Sequence, residues 1–222
     1  MKKWTTLERA ATPDGKTLTL EEHDGAYAIR VDGVPLMSTR QHTSEERLAE
    51  LACGHLRNTR QARVLIGGLG FGFTLKAALS ALASDAQIVM AELLEAVIAW
   101  NRNPKYGLAA GALSDLRVTV VLQDVSETIA QARTSYDAII LDVDNGPAAL
   151  SADGNGRLYG AEGLRQARAA LRPGGCAAYW SVAADAGFER EMERAGFRVE
   201  VEQCRAHGKS GRRHTLYVGR AK

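Results

Sequence analysis

Between Arg63 and Gly72 the chain reads RVLIGGLGFG, an apolar run that breaks into alternating glycines and yields to a helical pattern from Phe73. A parallel strand turning sharply into a helix leaves backbone N–H groups aimed at whatever lies over the turn. Gly68, Gly70 and Gly72 give the G-x-G-x-G form, in which glycine permits both the turn and the close approach of a ligand. No Gly-Lys-Ser/Thr follows, so this is not a phosphate-clamping loop. About twenty residues on, the apolar run IVMAE ends in Glu92, where an acid can accept hydrogen bonds from both ribose hydroxyls. Together these features read as the adenosine-binding half of a Rossmann-like α/β sheet.

The rest of the chain alternates accordingly. Short apolar runs predict strands at 64–66, 87–91, 117–122, 137–141 and 176–180, with helices at 74–83, 93–101, 125–132 and 161–171 between them. Pro173-Gly174-Gly175 is expected to end the long helix and lead into the fifth strand. After a helix near 188–195, FRVEVEQC and RHTLYVG flank a Gly-containing turn and predict an antiparallel hairpin at the sheet edge. That ending is the habit of class I methyltransferase sheets, seven-stranded and mostly parallel, rather than a requirement of a dinucleotide dehydrogenase. Upstream, segments 17–22 and 26–31 flank His23-Asp24-Gly25 as a small β-hairpin, closed by Asp32-Gly33 and Pro35. Thr43 or Ser44 is placed to cap a helix running to near Asn58, with Glu45 and Glu46 suiting its dipole. The expected division is a small N-terminal β-hairpin region, 1–42, and a Rossmann-like domain, 43–222.

A chain of 222 residues fits that plan, and 28 basic against 26 acidic residues, a formal charge of +2, do not point to nucleic acid. Cys53, Cys176 and Cys204 are widely spaced, with no Cys-x-x-Cys, and read as free thiols in a reducing compartment. MKKWTTLERA lacks the apolar core of a signal peptide, and no apolar run approaches about 18 residues. A cytoplasmic protein without a membrane span is expected. The five histidines are scattered without a pair at ligand spacing, so no metal site is expected.

Side chains at the carboxyl ends of the strands are the candidates for binding and chemistry. Gln123 and Asp124 follow the third strand, where either could bond an adenine amino group; Asp124 equally suits the cap of the next helix. ILDVDNGP ends the fourth strand with Asp142 and Asp144, two carboxylates that share a side if the chain stays extended. Such a pair can hold a cationic amine, or raise one another's pKa so that one accepts a proton; the same residues also suit a polar turn. Trp180, ending the fifth strand, can wall a substrate pocket or simply cover the core. His42 and Tyr159 lie in segments able to fold over a ligand.

With these motifs in place, the chain resembles the spermidine synthase superfamily, the polyamine aminopropyltransferases built on the class I methyltransferase fold. The likeness runs from about Leu18 to the end through RVLIGGLGFG, MAELLEAVI, YDAIILDVDNGP and LYGAEGLRQARAALRPGG. It implies Asp142 as the catalytic acid of that family, Glu92 as its ribose-binding acid, and a homodimer. The family uses decarboxylated S-adenosylmethionine and moves an aminopropyl group onto a diamine. Where its glycine turn carries an Asp that binds the aminopropyl amine, this chain has Phe71, a candidate substrate contact whose apolar ring cannot make a charge-assisted bond. Methyl transfer from S-adenosylmethionine to a small amine or hydroxyl is therefore the expected chemistry. Aminopropyl transfer from the decarboxylated donor is the alternative, and a non-catalytic nucleoside-binding or structural subunit is a third reading.

Overall fold

Alternate residues along the strands of the main sheet sort into two separate cores, as a sheet covered on both faces requires. Val64 and Ile66 join one core and Leu65 the other; Met90 and Ala91 divide in the same way, as do Ala178 and Tyr179. The computed structural model describes residues 3–143, 156–207 and 210–221. The elements begin with β1 (Thr5–Ala11), β2 (Thr17–His23), β3 (Ala26–Val31), β4 (Val34–Ser38), α1 (Thr43–Cys53), β5 (Arg63–Gly67) and α2 (Phe73–Ala81). They continue with β6 (Gln87–Glu92), α3 (Glu95–Arg102), α4 (Ala110–Leu113), β7 (Val118–Leu122), α5 (Val125–Gln131) and β8 (Tyr136–Leu141). The last are α6 (Gly156–Tyr159), α7 (Ala161–Ala170), β9 (Leu171–Ser181), α8 (Ala186–Arg194), β10 (Phe197–His207) and β11 (Ser210–Ala221).

β1 to β4 form a four-stranded antiparallel sheet in chain order, and the other seven strands form one sheet in the order β10-β11-β9-β8-β5-β6-β7. Strands β5 to β9 pair in parallel, and β11 runs antiparallel to both its neighbours. This is the mostly parallel, Rossmann-like α/β sheet expected. One face carries Leu48 of α1, Leu75 of α2 and Val97 of α3, together with Leu18, Leu20 and Ile29 from the N-terminal sheet. The opposite face is covered by Ile129 of α5, Leu164 of α7 and Phe188 of α8. Chain order reverses between β5 and β8, which places a crevice at the carboxyl ends of those two strands.

Four features differ from the sequence expectation. The N-terminal unit has four strands rather than two, because β1 and β4 are half-exposed edge strands and β4 carries Pro35, all of which blur an alternating pattern. His42 occupies the N-cap of α1 without a side-chain cap bond, while Ser44 lies buried inside the helix with its hydroxyl used elsewhere. Pro173-Gly174-Gly175 does not separate helix from strand: β9 already begins at Leu171, and the segment bulges between the Tyr136–Leu171 and Ala138–Cys176 pairs. The short helices α4 and α6 were not foreseen. Asp144 lies outside the described residues, so the Asp142–Asp144 pairing has no structural counterpart here.

Candidate active site

The glycine turn is held between neighbours on every side. A Cβ on Gly68 (φ +89°) would lie 2.2 Å from the Asp142 carbonyl oxygen, and one on Gly72 (φ +76°) 2.5 Å from the Ala109 methyl. Gly70 (φ +51°) faces Met37 of β4, whose Sδ would be 3.0 Å from an added Cβ. The buried Asn101 of α3 donates both amide hydrogens, to Gly70 O and Val97 O, at 2.8 Å each. Glu92 closes the other side: Oε2 accepts from the Leu69 N–H and Oε1 from the Leu94 N–H, both at 2.8 Å. The acid thus turns toward the glycine loop and is only 8% exposed. Leu93 and Leu122, at the carboxyl ends of β6 and β7, are 53% and 55% exposed.

On the opposite side of the glycine turn lies a cavity of about 170 Å³, reaching Gly70 and Asp142 and walled by Pro35, Leu36 and Met37 of β4. Asp142 follows β8, and its Oδ2 accepts a 2.6 Å hydrogen bond from Thr74 in the first turn of α2. Burial raises its pKa to about 6, against the lowering effect of the Thr74 bond. Glu45 enters the same cavity from α1. Its pKa lies well above the ordinary carboxylate value, first through burial and then through the negative charges of Asp142 and Glu46. Glu45 Oε2 is buried without a hydrogen-bond partner among the described residues. Two carboxylates in one small cavity, one with unused acceptor capacity, form a site for a cation or for a group that surrenders a proton.

The far wall is polar. Trp180 Nε1–H donates to Ser44 Oγ at 3.0 Å, and Ser44 Oγ lies 2.9 Å from His214 Nδ1. Indole nitrogen can only donate, so the Ser44 hydroxyl accepts from Trp180 and bridges it to the His214 ring. Burial, and then the nearby Arg212 charge, lower the His214 pKa, which favours the uncharged ring.

The structure brings Gly70, Asp142 and Trp180 together at this cavity and separates the remaining candidates from it. Phe71, read as a substrate contact, is 3% exposed and packs in the first core, since positive φ at Gly70 and Gly72 turns its ring inward. Tyr159 packs against Tyr179 and Phe188 in the second core and donates to Val143 O at 3.1 Å, next to Asp142 in the chain. The His42 ring stacks on Phe73 with centroids 4.5 Å apart, and its Nδ1 lies 3.0 Å from Glu46 Oε1 but off the line of a hydrogen bond. Gln123 folds down onto α5, its amide donating to Glu127 at 3.1 Å. Asp124 caps α5 by accepting from the Ser126 N–H at 2.8 Å, which spends one of its oxygens.

Glu45, Ser44, Thr74, Asn101, Arg212 and His214 were not read from the sequence as site residues. Glu45 carried a signal: with Leu48, Ala49 and Ala52 it lies at i, i+3, i+4 and i+7, an acid on the apolar stripe of α1. Among the described residues no three His, Cys, Asp or Glu side chains are grouped to hold a metal, and no helix is long and apolar enough to cross a membrane.

No family model and no curated protein sequence matches the chain. Its likeness is to solved structures. The spermidine synthase of Thermotoga maritima superposes with a TM-score of 0.75 at 17% identity, over 98% of this chain and 72% of that one. A spermidine synthase in complex with the transition-state analogue AdoDATO matches with the same TM-score, identity and coverage. A probable spermidine synthase from Corynebacterium glutamicum ATCC 13032 gives a TM-score of 0.62 at 16% identity, over 99% of this chain and 81% of that one. At such identities the likeness establishes architecture: the chain has a spermidine synthase-like fold of the class I methyltransferase type.

Proposed function

We propose that this protein transfers an alkyl group from an S-adenosyl sulfonium donor to a small amine held in the Glu45–Asp142 cavity. The observation that carries the reading is that carboxylate pair, set beside the glycine turn at the switch point of the sheet. The residues fit the donor's nucleoside. The turn leaves no room for a Cβ, Glu92 stands beside it at the carboxyl end of β6 where the ribose would lie, and the exposed Leu93 and Leu122 offer apolar faces for a flat base. When bound, such a donor supplies an electrophilic carbon, whose bond to sulfur breaks with its electron pair going to sulfur as nitrogen bonds to that carbon. The chain's part is positioning and proton handling. Glu45 holds the amine, the cavity walls exclude water, and ionised Asp142 takes the proton that the nitrogen gives up.

Aminopropyl transfer from decarboxylated S-adenosylmethionine is the better-supported form. One similar structure is a spermidine synthase carrying a transition-state analogue. The sequence argument for methyl transfer rested on Phe71, whose ring lies in the core and does not line the cavity. The test is calorimetry with S-adenosylmethionine, its decarboxylated form, methylthioadenosine and S-adenosylhomocysteine, followed by turnover with small amines. Tighter binding of the decarboxylated donor is expected, and tighter binding of the intact one would restore methyl transfer. Asp142→Asn is expected to reduce turnover by about 100-fold or more while leaving donor affinity within a few-fold. Failure of every nucleoside to bind would overturn the proposal.

A further inference from the structure

The cavity also contains a cation. Arg212 of β11 lines it together with His214, two residues along the same strand and so on the same face. Arg212 makes no hydrogen bond or ion pair with any described residue, and among the described residues no lysine or second arginine lines the cavity. The neighbouring His214 ring is already engaged through Nδ1 and lies against Trp180, with centroids 4.5 Å apart. Arg212 therefore stands as a positive group at one side of a space whose other side holds Glu45 and Asp142. A diamine, positive at both ends, would meet repulsion at the Arg212 side. A molecule with an ammonium at one end and a carboxylate at the other would match both.

We infer that the acceptor is a small zwitterion, an amino acid whose reacting amine lies at Glu45 and Asp142 and whose carboxylate lies on Arg212. This rests on the transferase reading above and narrows its substrate class. Sheet order assigns the carboxylate to the acceptor rather than to the donor. Glu92 and the exposed Leu93 and Leu122 belong to the β6–β7 side of Asp142, whereas Arg212 lies on β11, two strands from β8 in the opposite direction. The nucleoside and the guanidinium are thus on opposite sides of the reacting carboxylate. The cavity, about 170 Å³, suits a compact acceptor. In the reaction the acceptor's neutral nitrogen forms a C–N bond as the donor's C–S bond breaks. The sulfur keeps the electron pair, the nitrogen's proton passes to Asp142, and the acceptor carboxylate stays unchanged on Arg212.

The test uses acceptor pairs that differ by one carboxylate: 1,4-diaminobutane against ornithine, and 1,3-diaminopropane against 2,4-diaminobutyrate. Each is titrated into the full-length protein saturated with methylthioadenosine, and each is assayed for turnover with the decarboxylated donor. Within a pair the amino acid should bind about tenfold or more tightly, as a charge-assisted contact provides. Arg212→Gln should erase that preference, and Arg212→Glu should reverse it toward the diamine. No difference within either pair, including no binding by both members, or a preference untouched by Arg212→Gln, overturns the inference while donor binding leaves the transferase reading intact. If Arg212→Gln instead weakens intact S-adenosylmethionine relative to its decarboxylated form, the carboxylate belongs to the donor and the acceptor assignment falls. Loss of all nucleoside binding in the unaltered protein removes both.

Discussion

Glu45 shares the buried stripe of α1 with Leu48, Ala49 and Ala52, where an ionised carboxylate is costly to keep. Asp142 adds to that cost, and the two account for the cavity's appetite for a cation. Both groups have pKa values raised above their unfolded ones, so the stability they contribute is present at low pH and lost as pH rises through the folded values. For Asp142 the window runs from the ordinary 3.8 to about 6. Asp142→Asn should therefore stabilise the fold above pH 6, by on the order of 2–3 kcal/mol, and have no such effect below pH 4. Denaturant titrations at pH 4 and pH 8 measure this, and an equal effect at both values would refute the burial argument. Glu45 keeps its proton where Asp142 ionises, since the Asp142 charge is among the causes that raise it, so Glu45→Gln should leave the activity limb near pH 6 in place. A limb displaced to lower pH would mean that Glu45 is already charged when Asp142 ionises. Asp142 was legible because it ends an apolar run at the crevice edge. Glu45 was not, because an acid in the first turn of a helix satisfies the dipole whether or not it also points at a site. The inward packing of Phe71 was not legible, because it depends on the turn made by the positive-φ glycines on either side of it.

At the level of elements, β5, β6 and β8 were legible to within a residue or two, since strands covered on both faces are unbroken apolar runs. The bulge in β9 was not, because it exists only through its register against β8. The same dependence on a neighbour makes the glycine turn a sharp test. Gly68 and Gly25 both have positive φ, at +89° and +75°, yet a Cβ meets the Asp142 carbonyl at the first and nothing within 4 Å at the second. Gly25→Ala should thus cost only the backbone strain, about 1–2 kcal/mol. Gly68→Ala adds overpacking against a backbone oxygen that a flexible side chain cannot relieve, for about 2–4 kcal/mol in all. It should also displace Asp142 and weaken donor binding, which Gly25→Ala should leave unchanged. Thermal melts and nucleoside titrations of the two variants side by side decide the matter; similar losses in both would mean that the turn is not clamped by β8.

Over the whole molecule, the N-terminal sheet and the parallel sheet are built around one core. Leu18, Leu20 and Ile29 pack in the same cluster as Leu48 and Val64, and the Tyr106 hydroxyl donates to Glu8 across the boundary. The sequence division at residue 42 marks a change in strand pattern, and pattern alone carries no information about which cores merge. The union bears on the proposed function, because β4 supplies Pro35, Leu36 and Met37 to the proposed acceptor cavity while the residues proposed for the nucleoside come from the parallel sheet. Leu20, fully buried, separates these contributions. Leu20→Ala should cost about 2–5 kcal/mol, which at about 2–4 °C per kcal/mol for a chain of this size lowers the melting temperature by several degrees or more. With one shared core the melt should remain a single transition. Loosening the N-terminal sheet should weaken acceptor binding by more than it weakens nucleoside binding, because only the acceptor cavity has a wall from that sheet. Two resolved transitions, with the upper one at the unaltered protein's midpoint, would mean that the N-terminal sheet melts as an appendage and that the acceptor cavity is open in part of the folded population.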